Sequence, residues 1–134
     1  MKSRISHAAF VGLLFFIVGL LACSRRSGDE LYGTWQGRTR IDQDISITIR
    51  RDSTIEITTT VDDTVRQIRK GTYALVDRRL RISLTGLDTF KGNVVTHENK
   101  IDQDEALVTF TSADEIVLRK GTQAMVLERA TSTR

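Results

Sequence analysis

The sequence predicts an all-β fold, a single small antiparallel up-and-down barrel of about eight or nine strands. Short runs of alternating apolar and polar residues, rich in Ile, Val and Thr, recur from Tyr32 onward. Such alternation is typical of strands with one buried face. The segments between the runs are short, so neighbouring strands must pair antiparallel. The chain contains no proline, which favours uninterrupted ladders, and closure into a barrel would remove exposed sheet edges.

The first predicted hairpin turns at Arg51-Asp52-Ser53. Isoleucines alternate with polar residues on both sides of this turn, which places one face in the core and the other in water. These isoleucines are Ile45, Ile47, Ile49, Ile55 and Ile57.

A second hairpin is predicted from residues 65–76 and 80–84, with its turn at Asp77-Arg78 and its end at Gly86. A short irregular turn is expected within residues 87–93. Later strands are predicted at residues 92–101, 105–111, 115–119 and 123–129, separated by turns at 102–104, 112–114 and 120–122.

Two tetrapeptides occur twice in the chain. The first is Ile-Asp-Gln-Asp, at residues 41–44 and 101–104, and the second is Arg-Lys-Gly-Thr, at residues 69–72 and 119–122. The two copies of each are separated by different offsets, whereas a duplicated domain would produce one common offset. We therefore interpret them as reused turn chemistry.

The first 22 residues have the layout of a signal peptide. Lys2 and Arg4 precede an apolar run over residues 8–22. As a helix this run would span about 22 Å at about 1.5 Å per residue, which is short of the roughly 30 Å of a bilayer core. Residues 1–22 are therefore expected to be removed on export.

Leu20-Leu21-Ala22-Cys23 resembles the lipobox of bacterial lipoproteins. This resemblance implies a diacylglycerol on the Cys23 sulfur, cleavage before Cys23, and commonly a further acyl chain such as palmitate on the new amino group. Two or three chains would hold the protein at a membrane, since each buried CH₂ contributes about 0.8 kcal/mol. Cys23 is the only cysteine, so no internal disulfide can form. Residues 23–30 are predicted to be the lipidated cysteine and a polar tether.

Ser24 bears on the predicted location in the cell envelope. In lipoproteins of double-membrane bacteria, a residue other than Asp after the cysteine resembles the signal for transfer to the outer membrane. The expected location is then the outer membrane, facing the periplasm, if the source cell has two membranes.

Leu31-Tyr32-Gly33-Thr34-Trp35 resembles the first-strand signature of lipocalins and bacterial lipocalin-like domains. Residues 71–75 and 80–84 are similar to a mid-chain hairpin of the bacterial members. The resemblance covers residues 31–129, and the predicted domain is 31–130. It implies a barrel closed at one end near Trp35, with Arg129 packed over the indole as its structural partner.

The composition offers little for catalysis. After removal of the signal peptide His97 is the only histidine and the net charge falls from +3 to about +1. No nucleophile triad, zinc set or phosphate-binding loop can be assembled. Acidic pairs such as Asp42/Asp44, Asp62/Asp63 and Asp102/Asp104 lack the spacing of a calcium loop. We expect no enzyme, no cofactor, no metal site and no nucleic-acid partner.

Two hypotheses of function remain. In the first, the anchored barrel binds a small apolar or amphipathic molecule, as the lipocalin resemblance implies. The alternation predicts that the barrel interior is lined by Ile47, Ile57, Tyr73, Ile82, Val108 and Phe110. Trp35 of the lipocalin-like signature is a further candidate lining residue. In the second, a barrel filled by its own side chains acts as an envelope protein–protein interaction module, either an assembly factor or a hydrolase inhibitor.

Overall fold

The computed structural model describes residues 28–131. The predicted signal peptide at 1–22 and the predicted lipid site Cys23 lie outside these residues. The last residues of the predicted tether form a turn, in which the Leu31 amide donates to the Gly28 carbonyl at 3.3 Å. The chain divides after Leu31, and the residues from Tyr32 onward contain the barrel. Over the described range, no helix has the length and apolar character needed to cross a membrane.

Eight strands form one closed barrel in chain order, which confirms the predicted fold class. Each strand pairs antiparallel with the next, and β8 pairs with β1. The strands are β1 (Gly33–Arg38), β2 (Asp44–Ile49), β3 (Thr54–Asp62), β4 (Val65–Val76), β5 (Arg79–Lys91), β6 (Val94–Phe110), β7 (Glu115–Lys120) and β8 (Gln123–Arg129).

The inward faces of the strands build an aliphatic core around one tryptophan. Because paired residues share a face, the ladder that joins Trp35 to Ile47 and Ile47 to Ile57 directs all three side chains inward. The buried apolar side chains of the barrel are Trp35, Ile47, Ile49, Ile55, Leu80, Ile82, Leu84, Val108, Ile116 and Leu127.

The predicted first hairpin is present, and Asp52 stabilises its turn. The Asp52 carboxylate accepts hydrogen bonds from the Thr54 hydroxyl at 2.6 Å and the Thr54 amide at 3.0 Å. These hydrogen bonds lower the pKa of Asp52 below its usual value. Ser53 between them has a φ of 68°, in the left-handed region. The next turn along the chain, between β3 and β4, repeats the pattern with Asp62 and Thr64.

The prediction that the second hairpin ends at Gly86 is wrong. Strand β5 continues to Lys91, and no irregular segment fills residues 87–93 beyond the turn at Gly92-Asn93. Between Leu84 and Gly86, β5 has one residue more than β4. Against the same two residues of β5, β6 has one residue more between Asn99 and Asp102. The glycine therefore lies beside a bulge at Thr85 and does not end the strand, because a bulge kinks a strand without ending it.

The predicted turn at residues 102–104 is also wrong, since β6 runs unbroken from Val94 to Phe110. Acidic residues favour turns, but Asp102 and Asp104 here point to the inward face. They pair with cations of β4, which lies two strands away, and of the adjacent β7. Asp102 lies 2.7 Å from Arg69 of β4, and Asp104 lies 2.6 Å from Lys120 of β7. These cross-strand pairs are compatible with strand pairing.

The interpretation of the repeated tetrapeptides as turn chemistry fails for one copy of each. The copy at 41–44 lies in the β1–β2 connection, whereas the copy at 101–104 lies within β6. The copy at 119–122 forms the β7–β8 turn, whereas the copy at 69–72 lies within β4. The same tetrapeptide therefore forms a turn at one place and part of a strand at another. The strands that pack beside it, which lie elsewhere in the sequence, determine which of the two it forms.

Candidate ligand-binding cavity

One end of the barrel is closed by Trp35 and Arg129. The Arg129 guanidinium lies 4.3 Å from the centroid of the indole ring, and its Nη1 donates to the Tyr32 carbonyl at 2.8 Å. Its Nε donates to the Ala113 carbonyl at 3.2 Å. A Cβ on Gly33 would lie 2.8 Å from Nη1, so the glycine of the Gly-x-Trp sequence leaves room for the guanidinium.

The other end of the barrel opens into a cavity of about 1000 Å³. The β1–β2 and β7–β8 connections border its mouth, and inward side chains of β2, β3, β5, β7 and β8 form its walls. The apolar wall residues include Ile45, Ile47, Ile57, Ile82, Leu118 and Met125. Ile47 and Ile82 are buried, whereas Ile57, Leu118 and Met125 retain solvent-accessible surface. The cavity walls are therefore mainly apolar, and side chains fill the barrel only partly.

Charged side chains surround the mouth of the cavity. Arg38 and Arg40 lie on one side of it, and Asp104 and Lys120 on the other. Arg38 pairs with Asp42 at 3.0 Å, and Lys120 pairs with Asp104. The Asp104 carboxylate raises the pKa of Lys120, chiefly through their hydrogen bond. Within residues 28–131, Arg40 makes no salt bridge.

Three of the seven predicted lining residues line this cavity, namely Ile47, Ile57 and Ile82. Trp35 lies in the closed end, 0% exposed. Val108 and Phe110 also lie away from the cavity and pair with Leu118 and Ile116 of β7.

Tyr73 has a different environment. Its hydroxyl donates to the Arg50 carbonyl at 2.7 Å. Burial, and next the nearby Tyr32, raise the pKa of Tyr73 to about 12, so the hydroxyl stays protonated as a donor. Tyr73 borders a separate shallow depression of about 720 Å³ and does not line the larger cavity. The structure therefore does not bring the seven predicted residues together.

Three further residues that the predicted set does not contain line the cavity, namely Ile45, Leu118 and Met125. The alternation could have predicted Ile45 as a lining residue, because it lies on the same face of β2 as Ile47. Leu118 and Met125 pair with each other across β7 and β8, and only closure of the barrel brings them opposite Ile57. The charged mouth was missed because Asp104 was assigned to a turn.

His97 lies on the outward face of β6, away from the cavity. Its Nδ1 hydrogen-bonds to the Asp88 carboxylate on β5, and this bond raises the pKa of His97 and lowers that of Asp88. Among the described residues, no group of three or more His, Cys, Asp or Glu side chains could hold a metal ion.

Comparisons of the chain with protein-family models, with curated proteins and with solved structures found no match.

Proposed function

We propose that the chain is a lipid-anchored, non-catalytic envelope lipoprotein whose lipocalin-like barrel binds a small amphipathic molecule. The cavity of about 1000 Å³, with its apolar walls and charged mouth, is the observation that supports this proposal. Ligand pockets are typically concave, mostly apolar and about 300–1,000 Å³ in volume, with a few polar groups that orient the ligand.

The driving force for binding would come from the accessible walls. Ile57, Leu118 and Met125 keep apolar surface exposed within the cavity, and a bound apolar chain would remove that surface from water. The polar end of the ligand would lie at the mouth, beside Arg40 and the Lys120–Asp104 pair. The alternative, an interaction module with a filled barrel, is less well supported because side chains fill the barrel only partly.

The cavity is tested by filling it. We expect Ile57→Trp to weaken binding of the fluorescent apolar probe N-phenyl-1-naphthylamine by about tenfold or more, because the indole occupies the volume the probe needs. Thr58→Trp is the matched control. Thr58 is the next residue of β3 and pairs with Ser46 and Ile68, so its side chain faces outward. This variant should change the probe's Kd by less than about twofold.

The readout is a fluorescence titration of the full-length protein extracted in detergent, accompanied by thermal unfolding to show that each variant is folded. A folded Ile57→Trp variant with unchanged probe affinity would contradict binding inside the barrel. Native mass spectrometry of the same preparation would identify any molecule that co-purifies.

The anchor is tested separately at Cys23. We expect the full-length chain, expressed in a double-membrane bacterium, to lose residues 1–22, to gain the mass of two or three acyl chains and to fractionate with membranes. Cys23→Ser should carry no lipid and leave the membrane fraction after any cleavage, while Ser27→Ala is the control that keeps both. Wild-type protein without lipid mass on Cys23 would refute the anchor without affecting the cavity.

A further inference from the structure

Strand β6 has a long unpaired edge. On one side it pairs with β5 along nearly its whole length, from Val94 to Leu107. On the other side β7 pairs only with residues 107–110. Within the described part of the chain, residues 94–106 therefore present backbone donors and acceptors that no strand uses on that side. We call this segment the free edge.

The free edge has only part of the usual protection against pairing with another chain. Natural edge strands are short, bulged away, covered, or interrupted by proline and inward charges. Residues 94–106 contain no proline, and exposed apolar side chains lie along the edge. The inward charges of the segment, Asp102 and Asp104, are already paired with Arg69 and Lys120. Val95 is 58% exposed and Ile101 is 80% exposed. Both features favour addition of a strand.

We propose that two copies of this chain pair antiparallel through their free edges, with the two-fold axis at Asn99. In a symmetric antiparallel pair, residues equidistant from the axis lie opposite each other on one face. This register places Glu98 opposite Lys100 of the second copy, and Lys100 opposite Glu98 of the second copy. Neither side chain makes a salt bridge within residues 28–131, so both are available for these contacts.

Charge complementarity selects this register among its neighbours. An axis at Glu98, at Lys100 or at Asp102 would place two identical charges opposite each other. An axis at Ile101 would oppose Glu98 to Asp104, and an axis at Gln103 would oppose Asp102 to Asp104. Like charges directly opposite one another in a sheet are destabilising. Of the centres from Glu98 to Gln103, only Asn99 avoids every such pair.

The same register covers the apolar side chains of the outward face. Ile101 lies opposite His97 of the second copy and diagonal to Val95 of the second copy. Diagonal neighbours on adjacent strands are about 7–8 Å apart, which is within reach of branched apolar side chains. The pairing from Val95 to Gln103 therefore joins both sheets through hydrogen bonds and buries two of the most exposed large apolar residues of each copy. It does not depend on what the cavity binds.

Charge reversal tests the proposed dimer. Sedimentation velocity of the full-length protein in detergent should show a concentration-dependent monomer–dimer equilibrium. Glu98→Lys or Lys100→Glu alone should raise the dimer Kd by about tenfold or more, because two attractive pairs become repulsive. The double variant Glu98→Lys/Lys100→Glu should return the Kd to within about threefold of wild type. Glu128→Lys, an exposed change on β8, is the control for net charge.

A cross-link tests the position of the axis. Facing residues of an antiparallel pair have Cα atoms about 4.5–5.5 Å apart, within the range of a disulfide. Asn99→Cys should thus form a covalent dimer under mild oxidation, and wild type, with Cys23 alone, reports the background. A protein that stays monomeric at every concentration overturns the proposal. So does a dimer that the single reversals leave intact, or that the double variant fails to restore.

Discussion

Replacing Trp35 with alanine is expected to lower the free energy of unfolding by about 3–5 kcal/mol, the range for large aromatic residues truncated in a core. Trp35 is 0% exposed, and the residues around it come from strands at both ends of the chain. The cavity left behind would also remove the surface on which Arg129 stacks at 4.3 Å. The closed end of the barrel should therefore be its most sensitive region.

The measurement is urea unfolding followed by circular dichroism, because the variant lacks the only tryptophan. A double-mutant cycle with Arg129→Ala separates the stacking contact from the hydrogen bonds that Arg129 makes to Tyr32 and Ala113. We expect a coupling energy of about 0.5–2 kcal/mol between the two side chains. Additive losses would show that the contact contributes nothing, and a loss under about 1 kcal/mol for Trp35→Ala would contradict its role in the core.

Gly71→Ala is expected to destabilise the barrel by about 3 kcal/mol or more, beyond the usual cost of overpacking. A Cβ built on Gly71 would lie 2.0 Å from the Ser83 carbonyl oxygen and 2.7 Å from the Leu84 Cα. Both are backbone atoms of β5 that cannot rotate away, at the point where the register of β4 and β5 shifts. The close approach of the two backbones, rather than an unusual φ, requires glycine here.

Gly86→Ala is the matched control, since Gly86 lies in β5 on the other side of the same bulge. Its nearest neighbour to a new Cβ would be Cε1 of His97 at 3.7 Å, an ordinary contact. We expect this change to be neutral or to stabilise the protein by a few tenths of a kcal/mol through the unfolded state. Equal thermal stability of the Gly71→Ala and Gly86→Ala variants would show that the bulge tolerates a side chain at residue 71.

The all-β class and the order of pairing followed from the sequence because they depend on local patterns. Isoleucine alternation around Arg51-Asp52-Ser53 specifies which face of the first hairpin is buried. A shift of the pairing register by one residue would move all of these isoleucines to the solvent-exposed face. Turns at residues 77–78, 112–114 and 121–122 needed only local signals as well. The short connections then left antiparallel pairing of sequential strands as the simplest topology.

Contacts between residues distant in the sequence determined the length of β6 and the walls of the cavity. Aspartates such as Asp102 and Asp104 favour turns, and their ion pairs with cations of β4 and β7 stabilise them within β6. The cavity walls combine Ile57 with Leu118 and Met125, which lie far apart in the chain and meet because the barrel closes.

The free edge of β6 is likewise a property of the tertiary structure, since it arises where β7 leaves its partner after a short ladder. Alternation is a local property, so the sequence by itself determined the all-β class and the buried faces of the strands, although not the full lengths of β5 and β6. Barrel closure is a global one, so only the tertiary structure decided which faces meet, what space remains between them and which edge stays unpaired.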